Sequence, residues 1–360
     1  MYRLDPGLRR DDRKFFMPFS ERINVLVTGG AGTVGSNLCE HLLAQEKYNV
    51  ICVDNYFSGT EHNIDQLLSD PHFEFIRHDI VEPLNFEAFK GVERFRAAFV
   101  GVQEIYHLAN PDSPAVYLSS PVEVLMLATA GTKNVLDLAL AYRAKVLLAS
   151  DTAVYGDAPS GEQISEEILT RLNYLAPGAT LAQAKRTEET LGEAYRRLYS
   201  LQIKTVRLHN VYGTNMHFGD GRFIPEMIER CLDNRPITLT EDMTSAPFLF
   251  TADAVDALAR LMGSEASGIY NLAHPSQFTI DEVVQTIVAL TGSQSQVARG
   301  IAPADEQAFY DVWESYCRPV NVSKIKDDAD WFPVVLLRDG LQQTIDYMKA
   351  TRGIVDLRNR

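Results

Sequence analysis

At 360 residues, 46% of them hydrophobic, the chain can bury a large core and is expected to fold as two lobes rather than one. Its 48 acidic against 34 basic side chains leave a formal charge of −14, which argues against nucleic acid or an anionic membrane as partner but leaves room for an anionic substrate in a local basic pocket. Four cysteines and eight histidines show neither CxxC nor HExxH spacing, so Cys39, Cys52, Cys231 and Cys317 read as buried thiols of a reducing, cytoplasmic compartment, with no metal site.

Residues 1–17 carry Arg3, Arg9, Arg10, Arg13 and Lys14 without an apolar stretch, which does not describe a secretory signal. They read as a disordered extension, or as a start-site artefact with Met17 as the true start. No later apolar run is read as long enough to span a bilayer.

Val25 to Val27 form a short apolar run suited to a strand buried on both faces of a parallel sheet. Gly29, Gly32 and Gly35 follow at once. This spacing gives a tight turn, a close backbone approach to a pyrophosphate, and close packing of the next helix, expected near Gly35 to Gln45, whose N-terminus faces the phosphates. A second strand, Val50 to Val53, ends in Asp54, about 20 residues beyond the last glycine, where a carboxylate accepts from the adenosine ribose and repels a 2′-phosphate. The cofactor is therefore NAD rather than NADP.

Further strands are expected at Phe73–Ile76, Glu104–Leu108, Lys145–Ala149 and Lys204–Leu208, with helices at Pro121–Tyr142 and Leu181–Leu201. That alternation predicts a Rossmann-type, doubly wound parallel α/β sheet over residues 18–210. Asp157 to Gly178 read as a long polar loop. Residues 211–360, with helical patterns at Phe223–Leu232, Ala252–Met262 and Thr279–Leu290, are expected to form a smaller C-terminal α/β substrate lobe, separate from or interleaved with the first.

With these elements placed, the chain resembles the extended short-chain dehydrogenase/reductase (NAD-dependent epimerase/dehydratase) superfamily, and most closely its nucleotide-sugar members of the UDP-glucuronate decarboxylase type. The likeness rests on TGGAGTVGSNL (Thr28 to Leu38), VDNYFSG (Val53 to Gly59), HDIVEPL (His78 to Leu84), IYHLANPDSP (Ile105 to Pro114), LLASDTAVYGD (Leu147 to Asp157), AKR (Ala184 to Arg186) and HNVYG (His209 to Gly213). The cofactor set is then Gly29, Gly32, Thr33, Val34, Gly35, Asp54 and Asn55. To these the resemblance adds Asp79 and Ile80 at the adenine, Leu108 and Ala109 along the cofactor, and Lys185 at the nicotinamide ribose. It also implies a small-molecule partner, a UDP-sugar, and a homodimer built on the helices at 121–142 and 181–201. There Val122, Leu125, Leu136, Leu191 and Leu198 are equally suited to interface or core.

The reacting residues depart from the family. Where the family has Tyr four residues before the lysine, this chain has Leu181, which cannot transfer a proton; a phenolate, from a group with pKa about 10, normally removes the hydroxyl proton there. Asp151 replaces the Ser or Thr partner, and Ala153 the decarboxylase glutamate. Dehydratases that lack the tyrosine look similar at Asp151, so the catalytic set is Asp151, Thr152 and Lys185, with an inert Asp151–Lys185 ion pair as the alternative. Tyr155 reads as structural, whereas Tyr174 lies in the loop approaching Leu181. Ala246 stands where the family places a diphosphate arginine, leaving Asn210, Arg222 and Arg318 as substrate-binding candidates. The leading expectation is an NAD-dependent nucleotide-sugar enzyme of decarboxylase, dehydratase or epimerase type. A non-catalytic NAD-binding protein and an enzyme repurposed for non-redox chemistry are its competitors.

Overall fold

The computed structural model describes residues 22–111, 113–156, 163–176, 178–303, 306, 309–310 and 317–358. Residues 1–17, expected to form an extension, and 157–162, the start of the polar loop, lie outside them. Strand β1 (Ile23–Thr28) pairs in parallel with β2 (Tyr48–Asp54) and with β4 (Glu104–His107), and β2 pairs with β3 (Phe73–Arg77). On the other side β4 pairs with β5 (Lys145–Asp151) and β5 with β6 (Ile203–Leu208). A seventh strand, β7 (Gly268–Leu272), completes an all-parallel sheet of order β7-β6-β5-β4-β1-β2-β3. The order reverses between β1 and β4, and the crevice beyond their C-terminal ends is where such sheets bind ligands.

The apolar runs are continuous because both faces are covered. Val25 and Val27 enter one core, Leu26 the other. The same alternation separates Cys52 from Ile51 and Val53, and Leu147 from Val146 and Leu148. Helix α1 (Thr33–Ala44) lies on the first face. On the second lie α2 (Pro121–Tyr142) and α3 (Ala179–Tyr199), through residues such as Leu136 and Leu191. The expectation that no stretch can span a bilayer is corrected: α2 has the length and composition to do so, with mean hydropathy 1.3 over its most apolar window. Here α2 is half sunk in protein, with Val135, Leu136 and Ala139 buried in the second core. Val122, Leu125 and Leu198 face outward, 66%, 39% and 74% exposed.

The segments that follow residue 210 enter two cores. Helices α4 (Phe223–Leu232), α6 (Ile280–Thr291) and α8 (Leu337–Arg358) share a core containing Phe223, Ile228, Val284 and Ile345. Helix α5 (Thr251–Gly263), strand β7 and helix α7 (Ser323–Ala329) instead return to the first core, where Leu258, Tyr270 and Ile325 join Val25 and Leu38. A boundary at residue 210 therefore divides the chain but not the cores.

Candidate active site

The chain leaves β1 through Gly29 at φ +74°, where an added Cβ would lie 2.6 Å from the Leu108 carbonyl carbon. Only glycine fits a left-handed residue pressed against a neighbouring strand. At Gly35 a Cβ would meet the Gly29 carbonyl oxygen at 2.1 Å, so its absence sets how closely α1 seats on the turn. Gly32 differs: its Cβ would meet only Gly29 O, at 3.3 Å, and its open side faces the cleft it lines. No side-chain hydrogen bond caps the first turn of α1, which suits an anion.

The cleft, about 1070 Å³ including its mouth, is lined by every residue expected to hold the cofactor: Gly29, Gly32, Thr33, Val34, Gly35, Asp54, Asn55, Asp79, Ile80, Leu108, Ala109 and Lys185. Asp54 accepts from Ala31 N at 3.0 Å and Tyr56 N at 2.7 Å. Burial pushes its carboxyl upward, and those backbone bonds oppose the shift. Asn55 donates to Asp79 at 3.1 Å, linking the ends of β2 and β3. Ile80 rests on Gly131, within a π turn of α2 (Leu127–Gly131) that also turns Leu127 into the cleft. Irregular turns of this kind recur at functional sites. A cradle of glycines that side chains would fill, an uncapped helix start and a carboxylate lining the same cleft at the end of β2 fit a dinucleotide.

At the other end, β5 delivers Ala149, Ser150 and Asp151, and α3 delivers Lys185. Lys185 is only 4% exposed. Its Nζ donates to Ala149 O at 2.6 Å and pairs with Glu188 Oε2 at 3.1 Å, while the other Glu188 oxygen accepts from Asn110. The ion pair of Lys185 is therefore with Glu188. Glu188 stands one helical turn from the ammonium, whereas Asp151 Oδ1 accepts from Ala153 N at 2.6 Å. Burial raises the Glu188 carboxyl, and Lys185 counters it. Behind Lys185, His107 bridges Thr28 at 2.7 Å and Thr132 at 3.1 Å, and burial drives its pKa down to about 3.

A second chamber of about 650 Å³ meets the cleft at Val34, Asp151, Leu208 and Arg222. Its wall is aromatic, with Phe223 stacked between Phe248 at 5.8 Å and Phe309 at 6.5 Å. Asn210 lines it and donates to Pro247 O at 2.9 Å. Arg222 lines both chambers, but its guanidinium is held by buried Asp220 at 2.5 and 2.6 Å. Arg318 reaches neither chamber. It opens on a small crevice with Thr152 and His209 and donates to Gly156 O.

Asp151 and Lys185 are thus brought together, while Thr152 is not: as β5 ends, its hydroxyl turns to His209 Nδ1. Leu181 is 1% exposed and packs with Tyr117, Val124, Ala128 and Ala184. Tyr155 donates to Asn271 at 2.6 Å and accepts from Arg207 at 2.8 Å, the structural role expected of it, and Tyr174 is 65% exposed. Sequence reasoning missed Asn110, His217 and Asp220 on the cleft wall and Glu188 behind it. Asn110 lies inside a matching motif, whereas nothing in the sequence marks Glu188.

The sheet, the glycine cradle and the adjoining chamber define a dinucleotide-dependent α/β protein with room for a second ligand beside the cofactor. The chain belongs to the NAD dependent epimerase/dehydratase family, whose model matches residues 25–273, and NAD is the cofactor of the cleft. UDP-glucuronic acid decarboxylase 6 of Arabidopsis thaliana is 34% identical over 337 residues, 93% of this chain and 92% of its own. UDP-glucuronic acid decarboxylase 1 of Xenopus tropicalis is 34% identical over 336 residues, 93% of this chain and 74% of its own. Among solved structures, UDP-glucose 4-epimerase of Thermus thermophilus with NAD has a TM-score of 0.71 at 27% identity, covering 91% of this chain and 99% of its own. The fold is shared with dTDP-glucose 4,6-dehydratase of Bacillus anthracis with NAD, at TM-score 0.74 and 24% identity, covering 92% and 98%.

Proposed function

We propose that the protein is a working NAD-dependent enzyme that modifies a UDP-sugar by a lyase-type reaction, decarboxylation or dehydration, with Asp151 as acid/base group in place of the missing phenol. The supporting observation is that Asp151 lines both the NAD cleft and the aromatic chamber, where the two meet. Bound NAD supplies a reversible hydride acceptor. The chain's own residues orient the sugar and move protons: the bond from Ala153 N fixes the Asp151 carboxylate, Lys185 supplies a cation on the cleft wall, and Asn210 and Arg222 line the substrate side. UDP-glucuronate is the first substrate to offer, because the decarboxylase relatives act on it by name.

Mass spectrometry of UDP-glucuronate, UDP-glucose and dTDP-glucose incubated with protein and NAD decides the matter. Loss of carbon dioxide or water without net NADH is the expected result, and Asp151→Asn should slow it by about 10²- to 10⁴-fold, the usual worth of a positioned acid/base group. Unchanged masses with NAD bound, or an undiminished Asp151→Asn variant, would reject the reading. A non-catalytic NAD-binding role is then favoured, in keeping with Leu181 packed in an apolar cluster beside Ala153. We also propose that the chain is a homodimer through the outward faces of α2 and α3.

A further inference from the structure

We infer that Glu188 is a positioning residue that sets the charge and hydrogen-bond polarity of the NAD cleft at its Lys185 end, so that this end favours the oxidised, cationic cofactor over the reduced, neutral one. The glycine turn takes the pyrophosphate and Asp54 the adenosine ribose, which leaves the Lys185 end to the nicotinamide half.

An ammonium alone on that wall would repel a positively charged ring. Here the cation is matched by a carboxylate 3.1 Å away, and the two side chains are 5% and 2% exposed, so little water screens either. Lys185 has three donors and no acceptor. One goes to Ala149 O and one to Glu188, which holds the carboxylate in its ionised, accepting form.

The same carboxylate settles the direction of Asn110. An ionised oxygen can only accept, so the Asn110 amide must present its NH₂ to Glu188. That leaves Asn110 Oδ1 buried and without a hydrogen-bond partner, on a residue that lines the cleft. A buried acceptor so placed is costly unless a ligand donor meets it. Glu188 therefore neutralises Lys185 and holds Asn110 as an acceptor without touching the cofactor itself.

The inference concerns cofactor binding and needs no sugar, so its failure is separable from failure of the proposed reaction. NAD⁺ and NADH are titrated separately into the full chain by calorimetry, for the unmodified protein and for Glu188→Gln, which keeps the volume and removes the charge. The ratio of NAD⁺ to NADH affinity should fall by roughly tenfold or more, as expected for an uncompensated unit charge within about 12 Å at an effective dielectric of about 20. Glu188→Asp, which keeps the charge, should stay near the unmodified ratio. A Glu188→Gln protein with unaltered circular dichroism and an unaltered ratio overturns the inference, since a merely structural Glu188 would weaken both cofactors alike. If Glu188→Gln does not fold, the shorter pair Glu188→Asp and Glu188→Asn is compared instead, and the amide should show a ratio about tenfold lower than the carboxylate. Equal ratios in those two variants would equally overturn it.

Discussion

Two glycines that look alike in the sequence have different neighbours. At Gly35 a Cβ would strike the Gly29 carbonyl oxygen at 2.1 Å, whereas at Gly32 it would meet the same atom at 3.3 Å and otherwise open space. Gly35→Ala should therefore displace the turn and cost about 1–3 kcal/mol of stability, the usual penalty of overpacking. Gly32→Ala should melt close to the unmodified chain yet lose NAD affinity at least tenfold, roughly 1.4 kcal/mol, because the added methyl stands where the pyrophosphate approaches. Thermal melts set beside NAD titrations check the pair; a Gly32→Ala protein that binds NAD normally would contradict the cradle. The spacing of these glycines and the position of Asp54 were legible in the sequence because each follows directly from a strand end. Glu188 was not legible: a Glu three residues after a Lys reads as an exposed helix pair, and only packing on β5 shows that both are buried.

Among the elements, β1 to β6 stood out because their apolar runs are covered on both faces, while β7 and α7 fell within a mixed pattern and were missed as parts of the first core. The π turn in α2 has no sequence signature beyond Gly131, where a side chain would press on Ile80. Three of these elements are tied by one imidazole: His107 on β4 meets Thr28 on β1 and Thr132 on α2. Burial holds His107 neutral in the fold, with a pKa near 3 against an ordinary value of 6.5. Because the unfolded chain takes up that proton first, His107 favours the folded state fully above pH 6.5, and its contribution is lost as the pH falls toward 3, at up to about 1.4 kcal/mol per pH unit. Denaturant unfolding from pH 7 to pH 4 should therefore show a steeper loss of stability in the unmodified chain than in His107→Gln, whatever the variant's starting stability. Parallel loss in the two proteins would mean that His107 is not buried neutral.

For the whole molecule, α5, β7 and α7 follow residue 210 in the chain yet share the core of the first sheet. Helices α2 and α3 keep one outward side. Leu136 is spent on the interior and Leu191 is packed against it, whereas Val122, Leu125, Met126, Leu198 and Tyr199 stand 39–74% exposed on two helices that pack together. A net charge of −14 opposes association in general, and the exposed apolar residues at the start of α2, Val122, Leu125 and Met126, are where we propose that two copies meet. A twofold contact would set the same residues of each copy against one another, and covering about 800 Å² per copy is what a stable interface needs. Light scattering should give twice the chain mass for the unmodified protein. Val122→Glu combined with Leu125→Glu should give a single chain mass with NAD affinity preserved, since neither residue lines the cleft. A monomer in the unmodified protein would refute the dimer and leave the exposed face of α2, apolar enough by composition to enter a bilayer, to be covered by something other than a second copy.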